Sequence, residues 1–217
     1  MKNLIAILLI FVSFNALTKE YKWKKALNKK GIIVYTKKSK GTSIQSLKAV
    51  GVIDASVYQI TTILRDVKSA TKWVPNLKKR EYIKNISDTE ATLYEISVMP
   101  WPLVNRDTAT HYSLSLTDDK KSARLSFKAI SNTIMKKQKG LIRATIEMGE
   151  LIFTPVGDKT KVEMQILVDP KGAIPSWAVN WVNVSMPYDF LRALNKFAGK
   201  SKLVTPPGLK KLLDQIK

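Results

Sequence analysis

The 217-residue chain contains no cysteine and a single histidine, His111. The first absence excludes disulfide staples, thiolate nucleophiles, cysteine metal ligands and attachment of lipid through a cysteine. The second excludes a zinc site built from histidines and a two-histidine relay. No glycine-rich phosphate loop and no nucleophile elbow occurs, so any catalysis would fall to carboxylates, tyrosines or Arg106. No repeat or low-complexity stretch divides the chain, and its 45% hydrophobic content is enough for one well-cored domain. Neither a metal nor an organic cofactor is implied.

Acidic residues are scarce, 17 Asp and Glu against 37 Lys and Arg, which leaves a formal net charge of +20. Such a balance raises nucleic acid as a partner. Its distribution argues otherwise. The only arginines are Arg65, Arg80, Arg106, Arg124, Arg143 and Arg192, and lysine spread along almost every segment supplies the rest. Base readers favour bidentate arginine, and single-strand binders interleave stacking aromatics with a basic groove; neither pattern is present. Transient contact with an anionic membrane surface is the functional reading of the charge, at about 1 kcal/mol per lysine near such a surface. Simple solubility is the alternative.

At the N-terminus, Lys2 precedes an apolar run from Leu4 to Leu17, too short to span a bilayer but suited to the core of a signal peptide. We therefore expect a signal peptide over residues 1–17, cleaved near Ala16, and a periplasmic or secreted protein. An uncleaved membrane tether and a buried first helix are the alternatives. A domain over 18–199 and a basic amphipathic tail over 200–217 complete the expected organisation, and a monomer is expected.

The spacing predicts a short amphipathic helix over Thr18 to Asn28, strands over Ile32 to Lys37 and Ser43 to Ile53 joined at Gly41, and a helix over Val57 to Arg65. Ser56 and Gln59 have the spacing of a capping box for that helix. A helical turn carrying Trp73 ends at Pro75. Strict alternation at Leu125, Phe127 and Ala129, and again at Val162, Met164, Ile166 and Val168, marks antiparallel strands with one apolar and one wet face. From Ser176 to Phe197 the chain reads as a long helix so apolar that it must be nearly surrounded, with a kink at Pro187. In the tail, Leu209, Leu212, Leu213 and Ile216 repeat at helical spacing beside lysines, which suggests a face that docks on membranes.

One polar constellation stands out: Glu95, Arg106, Asp107 and Tyr112. Neighbouring strands joined by the Pro100-Trp101-Pro102 loop would bring Glu95 and Arg106 within reach of each other. A structural ion pair at a sheet edge is the alternative. Alternation over Arg106, Thr108, Thr110, Tyr112, Leu114 and Leu116 gives one face a polar-to-apolar gradient, as a cavity for an amphiphile requires.

The stretch Met99-Pro100-Trp101-Pro102-Leu103-Val104-Asn105-Arg106-Asp107, and Val168-Asp169-Pro170-Lys171-Gly172-Ala173-Ile174-Pro175-Ser176-Trp177 ahead of the long helix, resemble the START family of lipid-transfer domains. So do Lys48-Ala49, Val52-Ile53-Asp54-Ala55, Leu64-Arg65-Asp66 with Trp73, and Phe153-Thr154-Pro155 with Gly157-Asp158. The likeness is strongest to secreted or periplasmic bacterial members. It implies an α+β helix-grip fold, a curved antiparallel sheet around a long C-terminal helix that encloses a lipid cavity. It also implies a lipid ligand, sterol, phospholipid or other, met by Glu95, Arg106, Tyr112, Met164, Trp181 and Tyr188. Trp101, Pro102, Trp177 and Pro187 would form the gate. Tyr112 stands where some sterol-binding members carry a second arginine. The leading expectation is a non-enzymatic lipid-binding or lipid-transfer protein. A helix-grip enzyme of the polyketide cyclase or aromatase type, and an interaction module whose cavity is filled by its own side chains, are the alternatives.

Overall fold

The computed structural model describes residues 22–38, 44–131 and 134–217. The predicted signal peptide and the Gly41 turn lie outside them. Ten strands form one sheet: β1 (Lys24–Lys29), β2 (Ile32–Lys38), β3 (Gln45–Ile53), β4 (Leu77–Asn85), β5 (Glu90–Ser97), β6 (Arg106–Leu116), β7 (Ala123–Ala129), β8 (Ile142–Arg143), β9 (Thr145–Val156) and β10 (Lys159–Asp169). Their order is β1-β2-β3-β10-β9-β7-β6-β5-β4, antiparallel throughout, with the short β8 pairing parallel to β6. Two helices, α1 (Val57–Arg65) and α2 (Ala70–Trp73), interrupt the strands after β3. After β10 come α3 (Ser176–Asn180), a π-helical stretch (Trp181–Ser185), α4 (Met186–Ala198) and α5 (Pro207–Leu213). A curved antiparallel sheet against a C-terminal helix is the helix-grip architecture.

Of the helix expected over Thr18 to Asn28, residues 18–21 lie outside the described residues, and the first strand corrects the remainder. Lys29 pairs with Ile32, so Lys30-Gly31 is a two-residue hairpin loop, and both residues have positive φ, 47° and 74°. That is the turn whose twist matches paired strands, and it commits the preceding residues to β2. At α1 the cap is Ser56, whose hydroxyl accepts from the Gln59 backbone N–H at 3.3 Å. The Gln59 side chain does not close a capping box. It donates to the Ala198 carbonyl at 2.6 Å and ties α1 to the end of α4.

The core lies between the sheet and α4. Val34, Ala49, Ile60, Ile63, Phe153, Val162, Leu191 and Leu194 are completely or almost completely buried. In β9, Gly149 faces Phe127 across the strand pair, and a Cβ on Gly149 would stand 2.0 Å from the phenyl ring. The glycine gives Phe127 the space to lie flat on the sheet.

Two expectations for the long helix are revised. Its irregularity begins before Pro187, where the Met186 N–H reaches back five residues to the Trp181 carbonyl. Pro187 has no N–H for the Asn183 carbonyl, and the wider π turn lies directly ahead of it. The helix is also not nearly surrounded: Trp177 is 48% exposed, Asn180 is exposed, and Val179, Trp181, Val182 and Val184 are only half-buried. The buried half is α4.

The tail is corrected as well. Leu209 and Leu213 on α5 are each 1% exposed and belong to the core, packed beside α1. Its apolar face is therefore unavailable to a membrane. Among the described residues no helix is long and apolar enough to cross a membrane.

Candidate functional site: an apolar cavity with a buried polar cluster

Between the concave sheet and the helix lies a cavity of about 300 Å³. Leu93, Leu125, Phe127, Leu151, Phe153, Met164 and Ile166 line it from the sheet, and Val182, Met186, Pro187 and Phe190 from the helix. Its size is at the lower end of the ~300–1,000 Å³ typical of small-molecule sites. The helix residues Val182, Met186 and Phe190 recur every four positions, so one face of the helix forms the wall.

Polar groups line this space in two places: Thr61, Arg65, Asp88, Thr89 and Glu90 near the turn between β4 and β5, and a buried cluster on β4, β5 and β6. Arg80 on β4 stands directly opposite Glu95 on β5, and its Nε donates to Glu95 Oε1 at 2.8 Å while the terminal nitrogen lies 2.6 Å from the same oxygen. The Tyr112 hydroxyl on β6 donates to Glu95 Oε2 at 2.6 Å. Arg80 and Glu95 side chains are each 10% exposed. Tyr112 stacks on Phe127 with ring centroids 5.3 Å apart, which fixes the phenol. Burial, then the Glu95 charge, pushes the Tyr112 pKa well above its ordinary value, so the hydroxyl remains a donor. Burial acts to lower the Arg80 pKa, but the adjacent Glu95 carboxylate outweighs it and the net direction is upward.

The expected Glu95–Arg106 pair does not form. Arg106, 4% exposed, donates from Nε to the Pro170 carbonyl at 3.1 Å, from one terminal nitrogen to the Lys171 carbonyl at 3.0 Å, and from the other to the Val104 carbonyl. It has no carboxylate partner among the described residues and is not part of the cavity wall. The register explains this: Arg106 pairs with Ser97 at the end of its strand, whereas Glu95 pairs with Arg80 on one side and Thr108 on the other. Burial lowers the Arg106 pKa, yet a guanidinium stays protonated.

Asp107 belongs to a second cluster. Arg143 grips it through two bonds of 3.0 and 2.9 Å, and the Tyr94 hydroxyl donates to it at 3.0 Å. Arg143 also donates to the carbonyls of Met135 and Lys136. Arg106 and Arg143 thus fasten the loops 98–105, 134–141 and 170–175 together at one end of the sheet.

Of the residues expected to meet lipid, Glu95, Tyr112 and Met164 line the cavity, as does Pro187 from the expected gate. Trp181 and Tyr188 do not. One residue from Val182 and two from Met186, they are rotated about 100° and 200° off the inward helical face. Tyr188 is instead a core residue with the Lys29 and Arg192 cations over its ring. Trp101, 90% exposed, Pro102 and Trp177 stand at the outer surface. Sequence reasoning missed Arg80, the one guanidinium in the lysine-rich run Lys78-Lys79-Arg80 and the partner of Glu95. Among the described residues no group of three or more His, Cys, Asp or Glu is placed to hold a metal ion.

A model of the START domain family matches residues 12–203. The chain belongs to the START domain family. An uncharacterised protein of Pseudomonas aeruginosa is 32% identical over 190 residues, covering 87% of this chain and 92% of that one. Mouse phosphatidylcholine transfer protein is 26% identical over 178 residues, covering 80% and 82%. The crystal structure of a STAR-related lipid transfer protein from Xanthomonas axonopodis superposes with a TM-score of 0.73 at 27% identity, over 82% of this chain and 98% of that one. A Streptomyces aromatase/cyclase shares the fold more distantly, with a TM-score of 0.52 at 12% identity over 71% and 93%.

Proposed function

We propose that this START domain is a non-enzymatic carrier that holds one amphiphilic lipid in its cavity and exchanges it with membranes outside the cytoplasm. The observation that carries the reading is an apolar cavity whose main polar intrusion, Arg80–Glu95–Tyr112, is already internally bonded. Each methylene placed in such a cavity is worth ~0.8 kcal/mol. Catalysis would need a free acid or base tuned near neutral pH. Glu95 has both oxygens engaged, and burial raises the Tyr112 pKa still further from neutral pH.

The docking face we assign is the end fastened by Arg106 and Arg143. There Trp101 and Trp177 are exposed, and the loops carry exposed Lys136, Lys137, Lys139 and Lys171. Tryptophan suits the lipid-water interface and lysine suits anionic headgroups. The test is native mass spectrometry of protein isolated from its own host, followed by organic extraction. One co-purifying lipid per chain is expected; an empty cavity that also takes up no lipid from vesicles would sink the reading.

A further inference from the structure

We infer that α5 is the end wall of the cavity and that Leu209 sets how long an acyl chain it accepts. The inference rests on the cavity's holding a lipid, and it specifies that lipid as one with straight acyl chains. The segment that forms this wall, beyond residue 203, lies outside the stretch matched by the family model. Leu209 is 1% exposed and borders the cavity, as do Leu64 of α1, Ala91 of β5 and Leu114 of β6. The polar residues that line the cavity near the turn between β4 and β5 are already engaged: Arg65 with Tyr82, Asn85 and the carbonyls of Ser87 and Asp88, Asp88 with the Gly208 N–H, Thr89 with Ser87, and Glu90 with His111. The side chains left to meet a ligand at this end are the apolar ones, so the wall receives a hydrocarbon end.

A wall can measure length only if it stays put, and α5 is anchored on several sides. The Gly208 N–H donates to Asp88 at 2.8 Å, in the turn between β4 and β5. A Cβ at Gly208 would itself stand 2.8 Å from that carboxylate, so glycine permits the approach. Tyr58 on α1 donates to Asp214 at 3.0 Å, and Thr62 donates to Thr205 at 2.9 Å. The Lys217 N–H reaches the Lys120 carbonyl at 3.0 Å, in the turn between β6 and β7. Leu213, equally buried, packs in the core but is not part of the cavity wall.

The test uses the full chain incubated with vesicles that contain homologous series of saturated phosphatidylcholine, phosphatidylethanolamine and phosphatidylglycerol, and native mass spectrometry of what is bound. Leu209→Ala removes about three carbon atoms from the wall. The bound chains should then lengthen by roughly two to three methylenes, while Leu213→Ala, which loses comparable packing, should leave the distribution unchanged. Leu209→Val should move it the same way by about one methylene, and decides the matter if the alanine variant does not fold. An unchanged distribution in the Leu209 variants, or an equal change in Leu213→Ala, overturns the inference while leaving the carrier function intact. A wild-type protein that takes no acyl lipid from these vesicles also overturns it; recovery of another lipid class from the native host would then still uphold the carrier.

Discussion

Replacing Arg80 by methionine removes the guanidinium and keeps most of the hydrocarbon stem. Glu95 is then left 10% exposed, with Oε1 unpartnered and only the Tyr112 hydroxyl on Oε2. Breaking a buried pair in this way costs about 3–5 kcal/mol. The comparison is Arg124→Met, whose partner Glu150 lies 3.1 Å away with both side chains about one-third exposed, where a loss of ~0–1 kcal/mol is expected. Unfolding in urea at neutral pH measures both. Replacing the whole cluster by Arg80→Met, Glu95→Leu and Tyr112→Phe should be neutral or stabilising by roughly 1–4 kcal/mol. A single Arg80→Met that costs under about 1 kcal/mol would refute the reasoning.

Tyr94 is pushed up to about 12, by burial first and then by its bond to Asp107. Its contribution should be intact below about pH 10, the unfolded value, and be lost as pH rises through about 12, read as late tyrosinate absorbance that disappears in Tyr94→Phe. Gly149→Ala should destabilise by about 3 kcal/mol or more in a thermal melt, since its Cβ would meet the Phe127 ring at 2.0 Å. Replacing Lys136, Lys137 and Lys139 together by glutamine should weaken binding to anionic vesicles by roughly two orders of magnitude. Replacing Lys210 and Lys211 should change it far less, and equal effects in co-sedimentation would remove the docking face.

Periodicity carried the strands and α1, because a period of two with one wet face leaves little choice of partner surface. It carried neither the ends of the chain nor the pairing of charges. The segment Lys24–Lys29 has both helical and strand readings, and only the Lys30-Gly31 turn decides between them. Lysine at the first turn position hid a signal that asparagine would have displayed. In the site, Glu95 and Tyr112 were legible as cavity polar groups by resemblance, but Arg80 was not, since whether an arginine points in or out on an edge strand depends on the register set across β4 and β5. The tail leucines had the right spacing, and their meaning was reversed: an amphipathic stripe identifies a buried face without saying whether protein or membrane buries it.

The two ends of the sheet solve opposite problems. The proposed docking face would have to keep apolar side chains in water, and Trp101 is 90% exposed on its loop. Prolines on both sides limit that loop, while Arg106 and Arg143 hold its base from beneath. Burying those guanidiniums is costly, but backbone carbonyls and Asp107 satisfy them, and three loops that lack a sheet ladder gain a common anchor. At the other end Leu209 both completes the core and bounds the cavity, whereas Leu213 belongs to the core alone, so truncating Leu209 should alter packing and ligand length together and truncating Leu213 should alter packing only.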